Sequence, residues 1–367
     1  MTDPRITKLA KLLIHYSLDI KPGQKMRIST HPLANELTLA AYEEAIKAGA
    51  NVYVEQPIEE LPEIFFKYAS DEQLDFVQPV RKFILETFDA DLSIDASYNR
   101  RVLSGVDPKK MARSAKARAG LAKTFMERSA RGELHWCLTV FPNNANAQDA
   151  DMSLHDYTEF VFGAGMLNEA DPTEFWREEG RRQAKLVEWL KGGDQVTLKG
   201  SNIDMTLSIK DRVFMPADGR YNFPDGEIFT GPVENSASGW VRFKYPAIFM
   251  GQEVADIELR FENGKAVKET ASKNQDLLTS TLNTDVGARF LGEWGIGTNY
   301  GIKLFTKDML FDEKIGGTMH FALGGSYPET GGKNESAIHW DMLCDMNESE
   351  VKVDGELFYK DGKPAIP

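Results

Sequence analysis

The sequence predicts an α/β domain with an open, mostly parallel sheet, followed by a β-rich α+β domain. Three observations lead to this prediction. In the first half, strand-like segments alternate with helix-like segments, as they do where helices join parallel strands. In the second half, apolar and polar residues alternate between Asn-Gly and Asp-Gly turns, as in β-hairpins. The pattern changes at Gly192 and Gly193, which close the last long helix.

The first domain is expected to span residues 1–193 and to repeat a strand–helix–strand unit. Short apolar runs indicate strands, and apolar residues at helical spacing indicate helices. Strands are predicted at 25–30, 51–56, 92–97 and 133–142, and helices at 34–50, 107–132 and 171–193. Pro108 follows the candidate cap Asp107, as is typical of the first turn of a helix.

The second domain is expected to span residues 194–367 and to carry the functional site. Its alternating segments are predicted to form strands at 195–200, 202–211, 238–246, 255–267 and 351–362. Because successive side chains of a strand point to opposite faces, the apolar residues of each segment are expected to face a core.

Charge and composition exclude several classes of partner. The 367 residues carry a formal net charge of −13 with a pI near 5.1, which argues against nucleic acid and an anionic membrane surface as partners. No run of about 20 apolar residues occurs, and the N-terminal segment does not resemble a signal peptide. Cys137 and Cys344 lie in apolar alternating runs, as buried thiols of a reducing compartment do. We therefore expect a soluble, cytoplasmic protein.

The segment SAIHWDMLC (336–344) indicates a strand with two different faces. Alternation places His339 and Asp341 side by side on one face. The opposite face carries Ile338, Trp340, Met342 and Cys344, which suit a core. The face with the imidazole and the carboxylate either meets solvent or binds a metal ion. Both interpretations remain open from this segment alone.

The segment GGTMHFALGG (316–325) repeats this arrangement around a second histidine. His320 shares a face with the small residues Thr318 and Ala322, while the apolar residues Met319, Phe321 and Leu323 occupy the other face. The small neighbours leave space beside the imidazole. A shared site for two histidine-bearing strands is therefore one interpretation, and a hydrogen-bonded structural histidine is the other.

Two glutamates have a similar setting. Glu227 and Glu293 each follow a glycine and precede an apolar residue, whereas a solvated acid more often lies in a charged stretch. Together with the two histidines and Asp341 they form a set suited to two divalent cations about 3.5–4 Å apart. Carboxylate and neutral imidazole ligands suit zinc, cobalt or manganese. Such a pair lowers the pKa of a water molecule and polarises a carbonyl group, which is the chemistry of hydrolysis.

Tyr327 lies seven residues after His320, in HFALGGSYP. A phenol beside a polarised carbonyl can donate a hydrogen bond to the oxyanion of a tetrahedral intermediate. The same residue would also suit a packed turn before proline. Motifs for phosphate cradling, for HExxH zinc peptidases and for serine hydrolases are absent from the sequence.

Three stretches together resemble a known family. They are NFPDGEIFTGPVE, LGEWGIGTN and LFDEKIGGTMHFALGGSYPETGGKNESAIHWDM. They closely resemble the family that includes aminopeptidase T, aminopeptidase S and PepS, which are two-metal exopeptidases. The resemblance is continuous from about residue 218 to residue 345, and it is looser through the first half.

The resemblance implies a metal-dependent aminopeptidase that hydrolyses the N-terminal residue from short peptides. It places two divalent cations (cobalt, zinc or manganese) on Glu227, Glu293, His320, His339 and Asp341. It assigns a catalytic role to Tyr327, and Glu293 is a candidate for either a bridging ligand or a general base. It also implies a homodimer with an enclosed active site.

Two alternatives belong to other classes of protein. One is a non-catalytic metal-binding protein that has the ligands without a productive water molecule. The other is a small-molecule-binding α/β protein whose function resides in the first domain. Bound metal without hydrolysis would indicate the former. Ligand binding that survives the loss of Glu227 or His320 would indicate the latter.

Overall fold

The computed structural model describes residues 3–249 and 251–366. Within that part of the chain, contacts define two compact units. Unit 1 runs from residue 3 to Thr173 and includes Gly219–Pro224, while unit 2 includes Glu174–Asp218 and continues from Asp225 to residue 366. The division into domains after residue 193 stays a prediction. Among the described helices, none combines the length and the apolar character needed to cross a membrane.

A parallel sheet forms the centre of unit 1, which confirms the predicted fold class for this part of the chain. Strands are numbered along the whole chain, and those of sheet 1 are β1 (Lys25–Ser29), β2 (Asn51–Glu55), β3 (Ala90–Asp95), β4 (His135–Val140) and β8 (Asn222–Phe223). Their order in the sheet is β2-β1-β3-β4-β8, and all paired strands are parallel.

Helices connect these strands, as parallel pairing requires. Helix α1 (Pro4–Leu12) precedes β1, and the helices that follow the strands are α2 (Asn35–Lys47), α3 (Leu61–Tyr68), α4 (Asp71–Asp75), α5 (Pro79–Thr87), α6 (Pro108–Ala117), α7 (Ala119–Ala130), α8 (Asn144–Asp149) and α9 (Leu154–Ala164). The single helix predicted for 107–132 is two helices, because Arg118 leaves helical geometry with ψ near 0°. Its guanidinium and its backbone N–H both donate to the Ser114 carbonyl oxygen.

Unit 2 contains most of α10 (Pro172–Leu190), followed by strands and two short helices. The short helices are α11 (Gln275–Leu282) and α12 (Met309–Asp312). The strands are β5 (Gln195–Gly200), β6 (Ile203–Ser208), β7 (Met215–Ala217), β9 (Glu227–Thr230), β10 (Ser238–Arg242), β11 (Ala247–Phe249), β12 (Gln252–Val254), β13 (Glu258–Glu262), β14 (Lys265–Thr270), β15 (Leu291–Gly297), β16 (Thr318–Gly324), β17 (His339–Asp345), β18 (Ser349–Val353), β19 (Glu356–Lys360) and β20 (Lys363–Pro364).

Two antiparallel sheets of unit 2 share one core. Sheet 2 has the order β14-β13-β10-β6-β5-β18-β19-β20, and sheet 3 has the order β17-β16-β15-β9-β7. The core contains Val196 and Met205 from sheet 2 together with Trp294, Phe321 and Trp340 from sheet 3. This architecture confirms the predicted β-rich second part. One face of sheet 3 is therefore fixed against sheet 2, and its other face carries the candidate ligands.

Candidate metal centre

Four neighbouring strands of sheet 3 place the five ligands suggested by the sequence. These residues are Glu227 in β9, Glu293 in β15, His320 in β16, and His339 and Asp341 in β17. Glu293 and Asp341 both lie opposite Ala322 in the strand register. Because directly opposed residues of an antiparallel sheet share a face, these two carboxylates leave the sheet on the same side. The sheet therefore brings together residues that are up to 114 positions apart in sequence.

A β-bulge directs Glu293 to this side. The register shifts between Leu291 and Glu293, so Gly292 is an extra residue in β15. In a regular strand, Leu291 and Glu293 would share a face, but Leu291 packs in the core and Glu293 joins the cluster. A Cβ atom at Gly292 would lie 2.3 Å from the Gly325 oxygen, so the close approach at the bulge requires glycine.

A second glycine makes room for His320. Gly295 lies opposite His320 in the register of β15 and β16. A Cβ atom at Gly295 would lie 2.0 Å from His320 Cε1, well inside contact distance. The imidazole thus covers the position that a larger residue would occupy, and its own side chain is fully buried. This is the close approach that the small residues around His320 permit.

Glu293 lies at the centre of the cluster. Its Oε1 atom is 3.2 Å from His320 Nε2, and its Oε2 atom is 3.2 Å from His339 Nε2. Glu227 Oε2 is 3.3 Å from His320 Nε2, and Asp341 Oδ1 is 3.6 Å from His339 Nε2. Each oxygen of Glu293 therefore lies near a different histidine, and each of these histidines also lies near a second carboxylate: Glu227 for His320 and Asp341 for His339.

The orientation of His339 is set by the backbone. Its Nδ1 atom lies 2.8 Å from the Gly325 carbonyl oxygen. A carbonyl oxygen only accepts hydrogen bonds, so Nδ1 carries the proton and donates it. The Nε2 atom consequently faces Glu293 and Asp341. Metal-binding histidines commonly have such a partner on the other ring nitrogen, because it fixes the tautomer and the plane of the ring.

Three overlapping groups in the described part of the chain have ligand atoms within 4.8 Å of one another. They are Glu227, Glu293 and His320; Glu293, His339 and Asp341; and Glu313, His320 and Asp341. Within the cluster, the buried carboxylate oxygens Glu227 Oε2 and Asp341 Oδ1 have no hydrogen-bond partner among residues 3–249 and 251–366. Buried polar atoms are normally paired, so this donor set fits cations. Oxygen and imidazole ligands without thiolates suit a catalytic rather than a structural metal site.

The carboxylates keep protons on both histidines. Burial alone would lower the pKa of His320, but the hydrogen bond to Glu293 and the charge of Glu227 raise it to about 10. Burial also opposes the charged form of His339. Asp341 and Glu293 nevertheless raise the pKa of His339 to about 11. In the chain alone the imidazolium protons therefore balance part of the negative charge. A cation at this site has to displace them.

The pKa values of the carboxylates are shifted in opposite directions. Burial raises the pKa of Glu227 to about 8, against the lowering effect of Lys314. Burial would also raise the pKa of Glu293, but its hydrogen bonds to His320 and His339 hold it below the usual value. The pKa of Asp341 is likewise lowered, since His339 outweighs the effect of burial. The central carboxylates are thus ionised and ready to bind a cation.

Tyr327 lies beside the cluster. Its ring centroid is 5.1 Å from that of His339 and 5.6 Å from that of Phe229. Burial first, and then the charges of Glu293 and Asp341, raise the pKa of Tyr327 above its ordinary value. The phenol therefore keeps its proton and can act as a hydrogen-bond donor across the neutral pH range.

Two further residues of the cluster are not apparent from the sequence patterns. Glu313 and Lys314 follow directly after α12, in LFDEKIGG. Because the three residues from Asp312 to Lys314 are all charged, they read as a solvated turn. In the structure, however, Lys314 is fully buried and Asp312 is nearly so. Burial would lower the pKa of Lys314, but Glu227, Glu313 and Asp225 raise it. The apolar residues on both sides of this charged triplet are the only signal in the sequence.

Comparison with known proteins places this chain among metalloproteases. A sequence model of the thermophilic metalloprotease (M29) family matches residues 2–364. Aminopeptidase 2 of Geobacillus stearothermophilus is 28% identical over 98% of this chain and 95% of its own length. Aminopeptidase T of Thermus thermophilus is 28% identical over 97% and 95%, and aminopeptidase PepS of Streptococcus thermophilus is 24% identical over 95% and 94%.

Solved structures agree in fold. The wild-type AmpT structure from Thermus thermophilus covers 99% of both chains with a TM-score of 0.86 and 26% identity. A 2,5-dihydroxypyridine dioxygenase from Pseudomonas putida covers 100% of this chain and 99% of its own with a TM-score of 0.63 and 14% identity. The latter shows a shared fold alone, since one fold hosts many chemistries. With its sequence matched from residue 2 to residue 364, the chain belongs to the thermophilic metalloprotease (M29) family and is a metal-dependent hydrolase of peptide bonds.

Proposed function

We propose that this metallo-aminopeptidase removes the N-terminal residue from short peptides with two divalent cations bound in the sheet 3 cluster. The proposed ligands are Glu227, Glu293, His320, His339 and Asp341. Zinc, cobalt and manganese all accept such oxygen and imidazole donors. When bound, two such cations supply Lewis acids for the scissile carbonyl and the free amino group, and a water molecule of lowered pKa.

The position of Glu293 is the observation that carries this proposal. Each of its oxygens lies 3.2 Å from a different histidine, and it belongs to two of the three ligand groups. A carboxylate between two groups is suited to bridge two cations. The alternative role, acceptance of a proton from the attacking water, requires one of these oxygens to be released. The geometry therefore favours the bridging role.

The remaining residues would orient the reaction. Tyr327 would donate a hydrogen bond from its phenolic hydroxyl to the oxygen of the scissile carbonyl as negative charge develops there, because such a fixed donor stabilises an oxyanion. The backbone contact from His339 Nδ1 to the Gly325 oxygen would hold that imidazole in one tautomer. The face of sheet 3 that packs on the core would hold the residues of the cluster in place.

Hydrolysis of leucine p-nitroanilide tests the proposal directly. We expect the purified chain to cleave this substrate, to lose activity when a chelator removes its metal, and to regain activity when cobalt or zinc is restored. Metal content should be determined on the same samples, because activity and metal should be lost together. Absence of hydrolysis in a metal-loaded sample, over a panel of N-terminal residues, would instead support the non-catalytic metal-binding alternative.

Metal affinity should rise steeply with pH through the neutral range. The pKa values of His320 and His339, about 10 and 11, lie above the ordinary value of 6.5, and both rings must lose protons to bind a cation through Nε2. Proton competition is therefore expected to persist well above pH 6.5 and to weaken toward pH 10. Competition with a chelator of known affinity at pH 6, 7, 8 and 9 measures this dependence. An affinity that is constant over this range would contradict imidazole ligation.

The proposal includes a cytoplasmic homodimer. Support for the location comes from the two buried free thiols, Cys137 and Cys344. The dimer is implied by the family resemblance. Light scattering should give twice the 41.2 kDa mass of the chain.

Small-molecule binding by unit 1 is a second candidate function, favoured by one observation. A cavity of about 1020 Å³ lies over the face of sheet 1, and the buried pair Arg27 and Asp91 is among its lining residues. Its lining also includes Phe65, Phe125 and Trp136, and ligand pockets typically combine apolar walls with a few polar groups. Such binding would persist in a chain that lacks Glu227 or His320, which separates it from the peptidase activity.

A further inference from the structure

A fully buried lysine adjoins the metal-ligand cluster. Lys314 follows α12, and its side chain is completely shielded from solvent. Its backbone is fixed on both sides, since its N–H donates to the Phe311 oxygen and its carbonyl accepts from the Asn299 N–H. Lysine is almost never fully buried unless it is paired. The contacts of its ammonium group therefore indicate what it does.

Three carboxylates surround the ammonium group. Lys314 Nζ is in close contact with Glu313 Oε1 and lies 3.4 Å from Glu227 Oε1 and 3.9 Å from Asp225 Oδ1. Asp225 also accepts a hydrogen bond from the Gly226 N–H. Of these three acids, Glu227 is one of the proposed metal ligands and Glu313 belongs to the third ligand group, so Lys314 contacts the cluster through both.

The two oxygens of Glu227 have different surroundings. Oε1 faces Lys314, whereas Oε2 lies 3.3 Å from His320 Nε2 and has no hydrogen bond within the described part of the chain. A carboxylate can bind a cation through one oxygen or through both. An ion pair on Oε1 leaves Oε2 as the oxygen directed toward the cluster.

We propose that Lys314 is a positioning residue that engages Glu227 Oε1, so that Glu227 binds a cation through Oε2 alone. This inference rests on the proposed two-metal function. A catalytic metal site needs a coordination position that the protein does not fill. By withholding one oxygen of Glu227, Lys314 keeps such a position open for the substrate or the attacking water.

The charges of the cluster agree with this role. Five carboxylates lie in the ligand groups or against Lys314, namely Asp225, Glu227, Glu293, Glu313 and Asp341. Two divalent cations with neutral histidines balance four of these negative charges, and Lys314 balances the fifth. A neutral assembly is favoured here because uncompensated charge is costly to bury. A lysine in this place also limits the attraction for further cations.

Lys314→Met tests the proposal on cobalt-loaded full-length protein. Methionine keeps the apolar stem but frees Glu227 Oε1, which then becomes a second ligand oxygen. We expect kcat to fall by about 10–100-fold, as for other residues that orient metal ligands. We also expect cobalt to be released to EDTA more slowly than from the wild type, because the cation gains an oxygen and loses a neighbouring positive charge.

The direction of the change in cobalt release separates this role from a general loss of structure. A residue that only supports the fold would release cobalt faster when replaced. Release at the wild-type rate or faster, or an unchanged kcat, would overturn the proposal. Lys273→Met is the matched control, since Lys273 is an exposed lysine 3.1 Å from Glu253, and both readouts should remain at wild-type values.

A crystal structure of the metal-loaded wild type decides the question if the methionine variant does not fold. Oε2 alone within about 2.2 Å of a cation, with Oε1 on Lys314, is the expected result. A Glu227 that binds through both oxygens would overturn the proposal. Cobalt release and the crystal structure do not depend on peptide hydrolysis. An inactive wild type that still binds cobalt with this geometry would count against the proposed function and leave the role of Lys314 intact.

Discussion

Glu293→Gln is expected to remove at least one cation per chain and nearly all activity. Each oxygen of Glu293 lies 3.2 Å from a different histidine, and the glutamine amide keeps only one acceptor oxygen. Metal ions contribute several kcal/mol of transition-state stabilisation, and about 1.36 kcal/mol corresponds to a tenfold change in rate. We therefore expect kcat to fall by about 10³-fold or more. Metal analysis and leucine p-nitroanilide kinetics on the same sample measure both effects.

Glu258→Gln provides the matched control for this variant. Glu258 lies in β13 of sheet 2 and pairs with Arg242 at 2.7 Å, with both side chains exposed. Exposed ion pairs contribute little to stability, so metal content and kcat should match the wild type. A Glu293→Gln chain with full metal content would rule out the bridging role. If its activity were lost at full metal content, the general-base role would be favoured.

Tyr327→Phe is expected to lower kcat by about 10²–10³-fold while the cations remain bound. The phenol is not one of the five proposed ligands, which are carboxylate and imidazole side chains, so its removal should not release metal. Its raised pKa keeps the hydroxyl protonated, and a donor that stabilises an oxyanion typically contributes about 2.7–4 kcal/mol. Steady-state kinetics together with metal analysis distinguish this result from simple metal loss.

Tyr300→Phe is the corresponding control. The Tyr300 hydroxyl donates to the Gly362 oxygen at 2.9 Å and is not one of the proposed site residues, so its loss should leave kcat near the wild-type value. Turnover of Tyr327→Phe within a few-fold of the wild type would exclude a role for Tyr327 in stabilising the oxyanion. A fall in activity that added metal restores would indicate a role in metal retention instead.

The alternating segments of sheet 3 were predictable because their periodicity is regular. In β16 and β17 the apolar residues Met319, Phe321, Trp340 and Met342 face the core, as the period of two requires. The side chain of His320 leaves the sheet on the other face. Period-two alternation therefore sufficed to place these two strands and to group their polar residues.

Alternation could not place β15, because the bulge at Gly292 interrupts the period. A regular strand would put Leu291 and Glu293 on one face, whereas the structure separates them. Apart from the family resemblance, the signal for Glu293 was its glycine-flanked position. Lys314 was harder to anticipate, since its burial depends on acids that lie far from it in sequence. Local pattern does not report such tertiary compensation of charge.

In unit 1 the strands were predictable and several helices were not. The parallel sheet follows from the alternation of strand and helix. The helices α3, α4 and α5 are only five to nine residues long, too short to show a sustained helical period. At Arg118 the backbone reaches ψ near 0° and interrupts the helix. Such a local change of one backbone angle is not visible in the hydrophobic pattern.

The complete burial of β15 and β16 affects how the enzyme loses activity on heating. All seven residues of each strand are shielded from solvent, and amide hydrogens in such strands exchange with solvent only through openings that approach global unfolding. Cations that bind the folded chain alone make these openings rarer. Heat should therefore abolish activity and cooperative structure in one transition. We expect no long-lived intermediate in which these strands remain folded while the metal-ligand cluster is disordered.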